Sequence, residues 1–261
     1  MSYQKIQNRI NKDGFVHLKN IISQKLIKDI KSDMILCMEQ FVSKIKNKNL
    51  DVKIDHYFNE ITKKRGNLRS HVYKSISNML KLYELSTSPK VQKILKNLEI
   101  NSPRHLGTSI FAIEPKQNKF LTEIHQDIRN NFVSLKSLNL WFPLNSGKQI
   151  GGLGIYSGSH LLGPIKHTIS KKSGFITVDS KFLKNFKFVK ITNFKAGDLI
   201  LFSPFALHCS IKNKGKKIRW TAAMCIDDIS KTPHLNKKFN PFEKDKYVTN
   251  LTNEELLKFR N

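Results

Sequence analysis

The sequence predicts a mainly β fold, a sandwich or barrel, preceded by helices that pack on the outer face of one sheet. Two patterns carry the prediction. Up to about residue 100 the apolar residues recur at three- and four-residue steps, as in a helix with one buried stripe. Beyond it, short β-rich runs are broken by Gly, Pro, Asn and Lys turns, which is the spacing of a sandwich or barrel. A chain of 261 residues, 39% hydrophobic and with 17 Phe, has ample material for a buried core.

The first run, GFVHLKN at 14–20, reads as a short strand. From Ser23 the residues Leu26, Ile27, Ile30, Met34, Met38, Phe41, Val42 and Ile45 form one apolar stripe, which predicts a long helix. Further helices are expected over 71–86 and 89–97, with Pro89 at the first helical position behind a capping Ser88. Strands are expected at 105–114, 120–127, 134–143, 151–156, 187–193, 198–202, 205–211 and 217–226. The interval 158–186 is long and weakly patterned, as functional covers often are. No internal repeat or low-complexity linker divides the chain. It therefore reads as one domain over 1–261, with a mostly helical lead-in over 1–100, a β core over 101–228 and a C-terminal extension over 229–261.

The formal charge of +26 attracts anionic partners in principle. Of the 46 basic residues only seven are Arg, and the Lys residues are spread along the chain. Arg is the better reader of phosphates and base edges. A Lys-, Asn- and Ile-heavy composition is also what an AT-rich genome produces, and the even spread favours that origin over a nucleic-acid interface. Cys37, Cys209 and Cys225 have neither disulfide nor metal spacing, which fits a reducing compartment. No apolar leader and no run of ~18 apolar residues is present, so the expected location is cytoplasmic.

The segment FLTEIHQDIRNNF contains the chemistry. On a strand, residues i and i+2 share a face, so His125 and Asp127 point together and Gln126 points away. LILFSPFALHCSI adds His208. Two histidines and one carboxylate, leaving open positions on one side of an ion, suit a non-haem Fe(II) that activates oxygen. Each residue taken alone is ordinary, a surface pair or a satisfied core histidine. Arg219, in the run IRWTAAMCI, alters that balance, because its planar fork matches the far carboxylate of a keto-diacid that chelates the iron.

The ordered runs HQDIRNNFVSLKSLNLWFPL, GGLGIYSGSHLLG, FKAGDLILFSPFALHCS and KIRWTAAM, preceded by DGFVHLKNIIS, resemble the phytanoyl-CoA dioxygenase family of Fe(II)- and 2-oxoglutarate-dependent oxygenases over roughly residues 10–228. The resemblance implies a double-stranded β-helix, the cupin-like jelly roll. It implies Fe(II) held by His125, Asp127 and His208, and 2-oxoglutarate held by Arg219 with help from Ser210. Trp141 matches an aromatic near the co-substrate, with a plain core role equally open, and Asn139 shares its strand face as a further co-substrate contact. His160 of the GSH turn matches a structural histidine.

The implied reaction consumes O2 and 2-oxoglutarate, releases succinate and hydroxylates a C–H bond. Related halogenases carry a small residue where this chain has Asp127, so halogenation is disfavoured. Substrate choice is expected in Arg129, Asn130 and Asn131 after the metal motif, in the region 51–72 and in the interval 158–186. Arg129 is a candidate partner for an anionic group of a small-molecule substrate, although a solvated role is the commoner fate of such a residue. The alternative is a nucleic-acid-binding or oxidative demethylating protein with the same triad. Repair enzymes of that kind carry a second arginine soon after the first, and WTAAMCIDDIS has none. Aromatic and Arg clusters for base stacking are also sparse.

Overall fold

The computed structural model describes residues 1–64, 66, 68–117, 121–127, 136–171 and 173–231. The strand β3 (Ser137–Pro143) shows why layers stack on both sides of one sheet, since all of its residues are buried. Leu138, Leu140 and Phe142 face one side and Asn139 and Trp141 the other, so both faces need cover. Helices supply one cover and a second sheet the other.

The larger sheet runs β1 (Phe15–Leu18), β8 (Leu199–Phe202), β3, β10 (Arg219–Asp228) and β2 (Pro103–Ile113), with every neighbour antiparallel. The smaller sheet runs β7 (Lys187–Ile191), β4 (Gly152–Ser157) and β9 (His208–Ile211). A separate hairpin pairs β5 (His167–Ile169) with β6 (Ile176–Val178). Trp141, Ile200 and Phe202 of the larger sheet meet Leu153, Ile155 and Ile191 of the smaller one in the inter-sheet core. This two-sheet architecture agrees with the expected jelly roll.

On the outer face of the larger sheet lie α1 (Tyr3–Asp13), α2 (Gln24–Glu39), α3 (Leu50–Lys64), α4 (Leu68–Ser77), α5 (Leu80–Thr87) and α6 (Pro89–Asn97). Their apolar residues join Leu138, Leu140, Leu199, Leu201 and Trp220 in the larger core. The Ser23 hydroxyl caps α2 by accepting from the Leu26 N–H at 3.2 Å. The helix stops at Glu39, however, and Val42 and Ile45 reach the same core from irregular chain, where the Ile45 N–H donates to the Tyr57 hydroxyl at 3.1 Å. The expected 71–86 helix is two helices. Asn78 and Met79 separate them, and Met79 is extended at ψ 126. Ser88 does not cap α6, because its hydroxyl donates back to the Leu85 carbonyl at 3.1 Å. The 120–127 run is not a regular strand in its described part, 121–127, where only His125 bridges, to His208. Among the described residues no helix is long and apolar enough to cross a membrane.

Two glycines hold the frame close to the site. Gly14 ends α1 at φ 81, and a Cβ there would lie 2.6 Å from His160 Nδ1. His160 is buried and donates from Nε2 to the Asn11 carbonyl at 3.0 Å, a structural role as expected. At Gly152 a Cβ would lie 2.0 Å from the Ile191 carbonyl oxygen, so only glycine lets β4 pass this close to β7.

Candidate metal centre

The smaller sheet turns His208 and Ser210 toward the inter-sheet space, because their register partners Ile155 and Leu153 lie in that core. Segment 121–127 runs beside β9. The Ser210 N–H donates to the Thr122 carbonyl at 3.1 Å, and His125 and His208 exchange two backbone hydrogen bonds at 3.0 Å. The expected i, i+2 arrangement therefore survives without a regular strand.

Both histidines are oriented by their own backbone. The His125 Nδ1 donates to the Glu123 carbonyl at 2.7 Å, and the His208 Nδ1 donates to the Ala206 carbonyl at 3.0 Å. A carbonyl can only accept, so Nδ1 carries the proton in each ring and a neutral ring presents a bare Nε2. These Nε2 atoms converge on Asp127, at 3.1 Å from Oδ1 and 3.4 Å from Oδ2. Ligand atoms of all three residues lie within 4.8 Å of one another.

Burial pushes His208 down to about 4, which keeps it neutral at physiological pH. Burial opposes ionisation of Asp127, yet His208 and His125, both protonated in the acid range where Asp127 titrates, and the hydrogen bond from Asn139 prevail and hold it at about 2. For His125 burial is likewise outweighed, by its bond to Asp127, and its pKa is raised. With both rings neutral, two bare Nε2 lone pairs face a carboxylate and repel it unless a proton or a metal cation stands among them, so this donor set fits a metal ion.

Asp127 is itself held in place. Its N–H donates to the Pro204 carbonyl at 3.0 Å, and the Asn139 amide donates to Oδ2 at 2.6 Å. Gln126 faces away and is fully buried. Its amide donates to the carbonyls of Gly163 and Phe205 at 2.8 and 2.7 Å, and its Oε1 accepts from the Ile165 N–H at 3.0 Å. Its own N–H donates to His167 Nε2 at 2.9 Å. The interval 158–186 is thus bolted to the triad through the one residue of the motif that points outward.

Arg219 opens β10 and is 2% exposed. Its Nη1 donates to the Gly152 and Ile211 carbonyls at 2.6 and 3.1 Å, and Nη2 reaches Ser210 Oγ at 3.5 Å. Ser210 Oγ is also 2.8 Å from Thr122 Oγ1. Among the described residues this guanidinium bonds to carbonyls and a hydroxyl rather than to a carboxylate, and burial lowers its pKa to about 10. Its Nε is buried without a partner, and so is the Thr221 hydroxyl two residues along the same strand face. A buried guanidinium with an idle donor, beside an idle hydroxyl, fits a carboxylate ligand.

Trp141 lies in the same inter-sheet core, its ring centroid 5.9 Å from the Arg219 Cζ and 5.2 Å from the Phe194 centroid. His125, Asp127 and His208 are therefore brought together, as are Arg219, Ser210 and Trp141. Asn139 is placed on Asp127. Arg129 lies outside the described residues. Gln126, Thr122, the Gly152 carbonyl and Thr221 were missed, and of these only Thr221 carried a signal, its i+2 spacing from Arg219.

The sequence model of the phytanoyl-CoA dioxygenase family, PhyH, matches residues 10–221. No curated protein matches the chain. Among solved structures the chain is similar to the epimerase SnoN in complex with Fe3+, alpha ketoglutarate and nogalamycin RO, with a TM-score of 0.61, 15% identity and coverage of 87% of this chain and 83% of that one. It is also similar to EctD from S. alaskensis with 2-oxoglutarate and 5-hydroxyectoine, at a TM-score of 0.57 and 14% identity over 88% of this chain and 77% of that one. AviO1 from Streptomyces viridochromogenes Tue57 has a TM-score of 0.55 at 14% identity, over 89% of this chain and 97% of that one. At such identities the likeness is one of fold. The family match spans most of the chain and settles the class: this chain belongs to the phytanoyl-CoA dioxygenase family of iron- and 2-oxoglutarate-dependent oxygenases.

Proposed function

We propose that the chain oxidises an unactivated C–H bond of a small molecule, using Fe(II) held by His125, Asp127 and His208 and 2-oxoglutarate held by Arg219. The observation that carries this reading is the buried Arg219 guanidinium, unpaired with any described carboxylate, in the same inter-sheet space as a converging His-Asp-His set. When bound there, the iron supplies the activation of O2 that decarboxylates 2-oxoglutarate to succinate and oxidises the substrate. The protein's share is positional. The Glu123 and Ala206 carbonyls fix which nitrogen each histidine offers, and Asn139 restrains Asp127 Oδ2 and leaves Oδ1 facing His125 Nε2, where a shared ion would sit. Arg219 and Ser210 orient the far carboxylate of the co-substrate, and Trp141 closes the space beside the guanidinium.

A small-molecule substrate is supported by the fold neighbours, whose names carry nogalamycin RO and 5-hydroxyectoine. Beyond the triad the inner strand faces continue through Ser137, Cys225 and Asp227, the last held by Arg104 in a bidentate ion pair at 3.0 and 2.6 Å. The free thiols of Cys37, Cys209 and Cys225 suit a reducing cytoplasm. The test is succinate release from 2-oxoglutarate across a panel of metabolites with the Fe(II)-loaded protein. A compound that raises succinate above the uncoupled background and gains one oxygen atom supports the proposal. A panel in which the folded, iron-loaded protein never turns over 2-oxoglutarate counts against it.

A further inference from the structure

We propose that Asp55, on the opposite side of the larger sheet from the metal centre, is a positioning residue for Arg219. The inference rests on the reading of Arg219 as the 2-oxoglutarate anchor. β10 enters the sheet at Arg219, and its ladder with β3 begins only at the Thr221–Pro143 pair. On its other side β10 is already paired, Arg219 with Ile113 and Trp220 with Ala112 of β2, and the Trp220 carbonyl accepts from the Leu144 N–H at 2.9 Å. On the β3 side the Ile218 N–H and carbonyl and the Trp220 N–H are held by side chains instead. Asp55 Oδ2 accepts from the Ile218 N–H at 3.0 Å, and its Oδ1 accepts from the Trp220 indole N–H at 2.8 Å. One carboxylate of α3 thus grips the residue before Arg219 and the residue after it.

Asn145 completes the clamp. Its Oδ1 accepts from the Trp220 N–H at 3.0 Å, and its amide donates to the Ile218 carbonyl at 2.7 Å. Phe58, one turn beyond Asp55 on α3, packs edge-on against the Trp220 ring with centroids 5.0 Å apart. Arg219 is the residue between the two held points, and its side chain passes to the inner face.

The coupling is mechanical. The charged groups with the largest effect on Asp55 are Asp51 and Lys217. A carboxylate is suited to this place because it accepts two N–H groups at once, whereas an amide presents one accepting oxygen. Guanidinium recognition of a carboxylate depends on in-plane forks, so a small shift of the strand costs binding at a distance.

The experiment compares wild type with Asp55→Ala, Asp55→Asn and Trp220→Phe, the last removing the indole donor with part of the ring's bulk and keeping an aromatic ring against Phe58. The dissociation constant for 2-oxoglutarate is measured by absorbance titration of the oxygen-free, Fe(II)-loaded protein, and iron affinity is measured by chelator competition. The expected result is a roughly tenfold weaker 2-oxoglutarate complex in Asp55→Ala, a smaller loss in the other two, and iron affinity within about twofold of wild type. Folded variants that bind 2-oxoglutarate as tightly as wild type overturn the proposal, as does a parallel fall in iron affinity, the mark of general loosening. Should Asp55→Ala fail to fold, Trp220→Phe decides the matter by the same criteria. A wild-type protein that binds iron but no 2-oxoglutarate sinks the underlying reading and this proposal with it, which separates the two failures.

Discussion

Replacing Arg219 by Met removes the guanidinium fork and keeps an unbranched chain of similar bulk in a site that is 2% exposed. In wild type, 2-oxoglutarate at a hundred times its dissociation constant stabilises the folded state by about 2.7 kcal/mol. For a chain of 261 residues that corresponds to a rise in Tm of roughly 5–10 °C, at about 2–4 °C per kcal/mol. The fork offers two charge-assisted hydrogen bonds, each worth about 1.5–3 kcal/mol, so its loss weakens binding by about 100-fold or more. At the same ligand concentration the variant then gains no more than about 0.4 kcal/mol, a shift of roughly 1–2 °C. The assay is thermal denaturation of the oxygen-free, Fe(II)-loaded proteins with and without 2-oxoglutarate. A full wild-type shift in folded Arg219→Met refutes the assignment of this arginine.

Asn139→Ala frees the Asp127 oxygen that is now held at 2.6 Å, and iron affinity measured by chelator competition is expected to fall about 10- to 100-fold. Burial raises Asp55 to about 6 against the bonds from Trp220 and Ile218, so the folded state binds this proton more tightly than the unfolded chain. Its contribution is therefore fully favourable below about pH 4 and is lost as pH rises through about 6, an effect on the order of 2–3 kcal/mol. Urea denaturation should accordingly show Asp55→Asn gaining on wild type between pH 4 and pH 7, and a pH-independent difference between the two would contradict this. If the +26 charge is compositional, binding to single-stranded oligonucleotide should fall steeply with salt and be lost at physiological ionic strength. Salt-resistant binding would favour the nucleic-acid reading.

The triad and its arginine were legible because each is marked by local spacing or by its ordered place among flanking strands. His125 and Asp127 share a face by parity, and Arg219 follows His208 on the next strand. The two-sheet core was legible for a similar reason, since β3 and β8 alternate between two buried faces. The helical layer was read less well. In α1, YQKIQNRINKD carries Tyr3, Ile6 and Ile10 at helical spacing but buries only Ile6, so the stripe is too thin to stand out in a short, mostly polar run. The break between α4 and α5 depends on a tertiary contact, the Ser77 hydroxyl accepting from the Ile110 N–H of an edge strand at 3.0 Å. Asp55 was illegible as well. A carboxylate within LDVKIDHYFNEITKK looks like solvent-facing charge, and only the strand that docks beside it reveals two donors waiting. Gln126 gave no sign that its amide would bind three backbone groups of distant segments.

The central claim is that the space between the two sheets holds a metal and a keto-diacid together. The most direct test is an oxygen-free titration of the purified protein with Fe(II) and then 2-oxoglutarate, followed by the weak visible charge-transfer absorption of a chelated keto acid. The prediction is a band that needs both additions, saturates at one iron per chain, vanishes in His125→Ala and weakens in Arg219→Met. A folded wild-type protein that gives no band, or a band that survives loss of His125 unchanged, would contradict it.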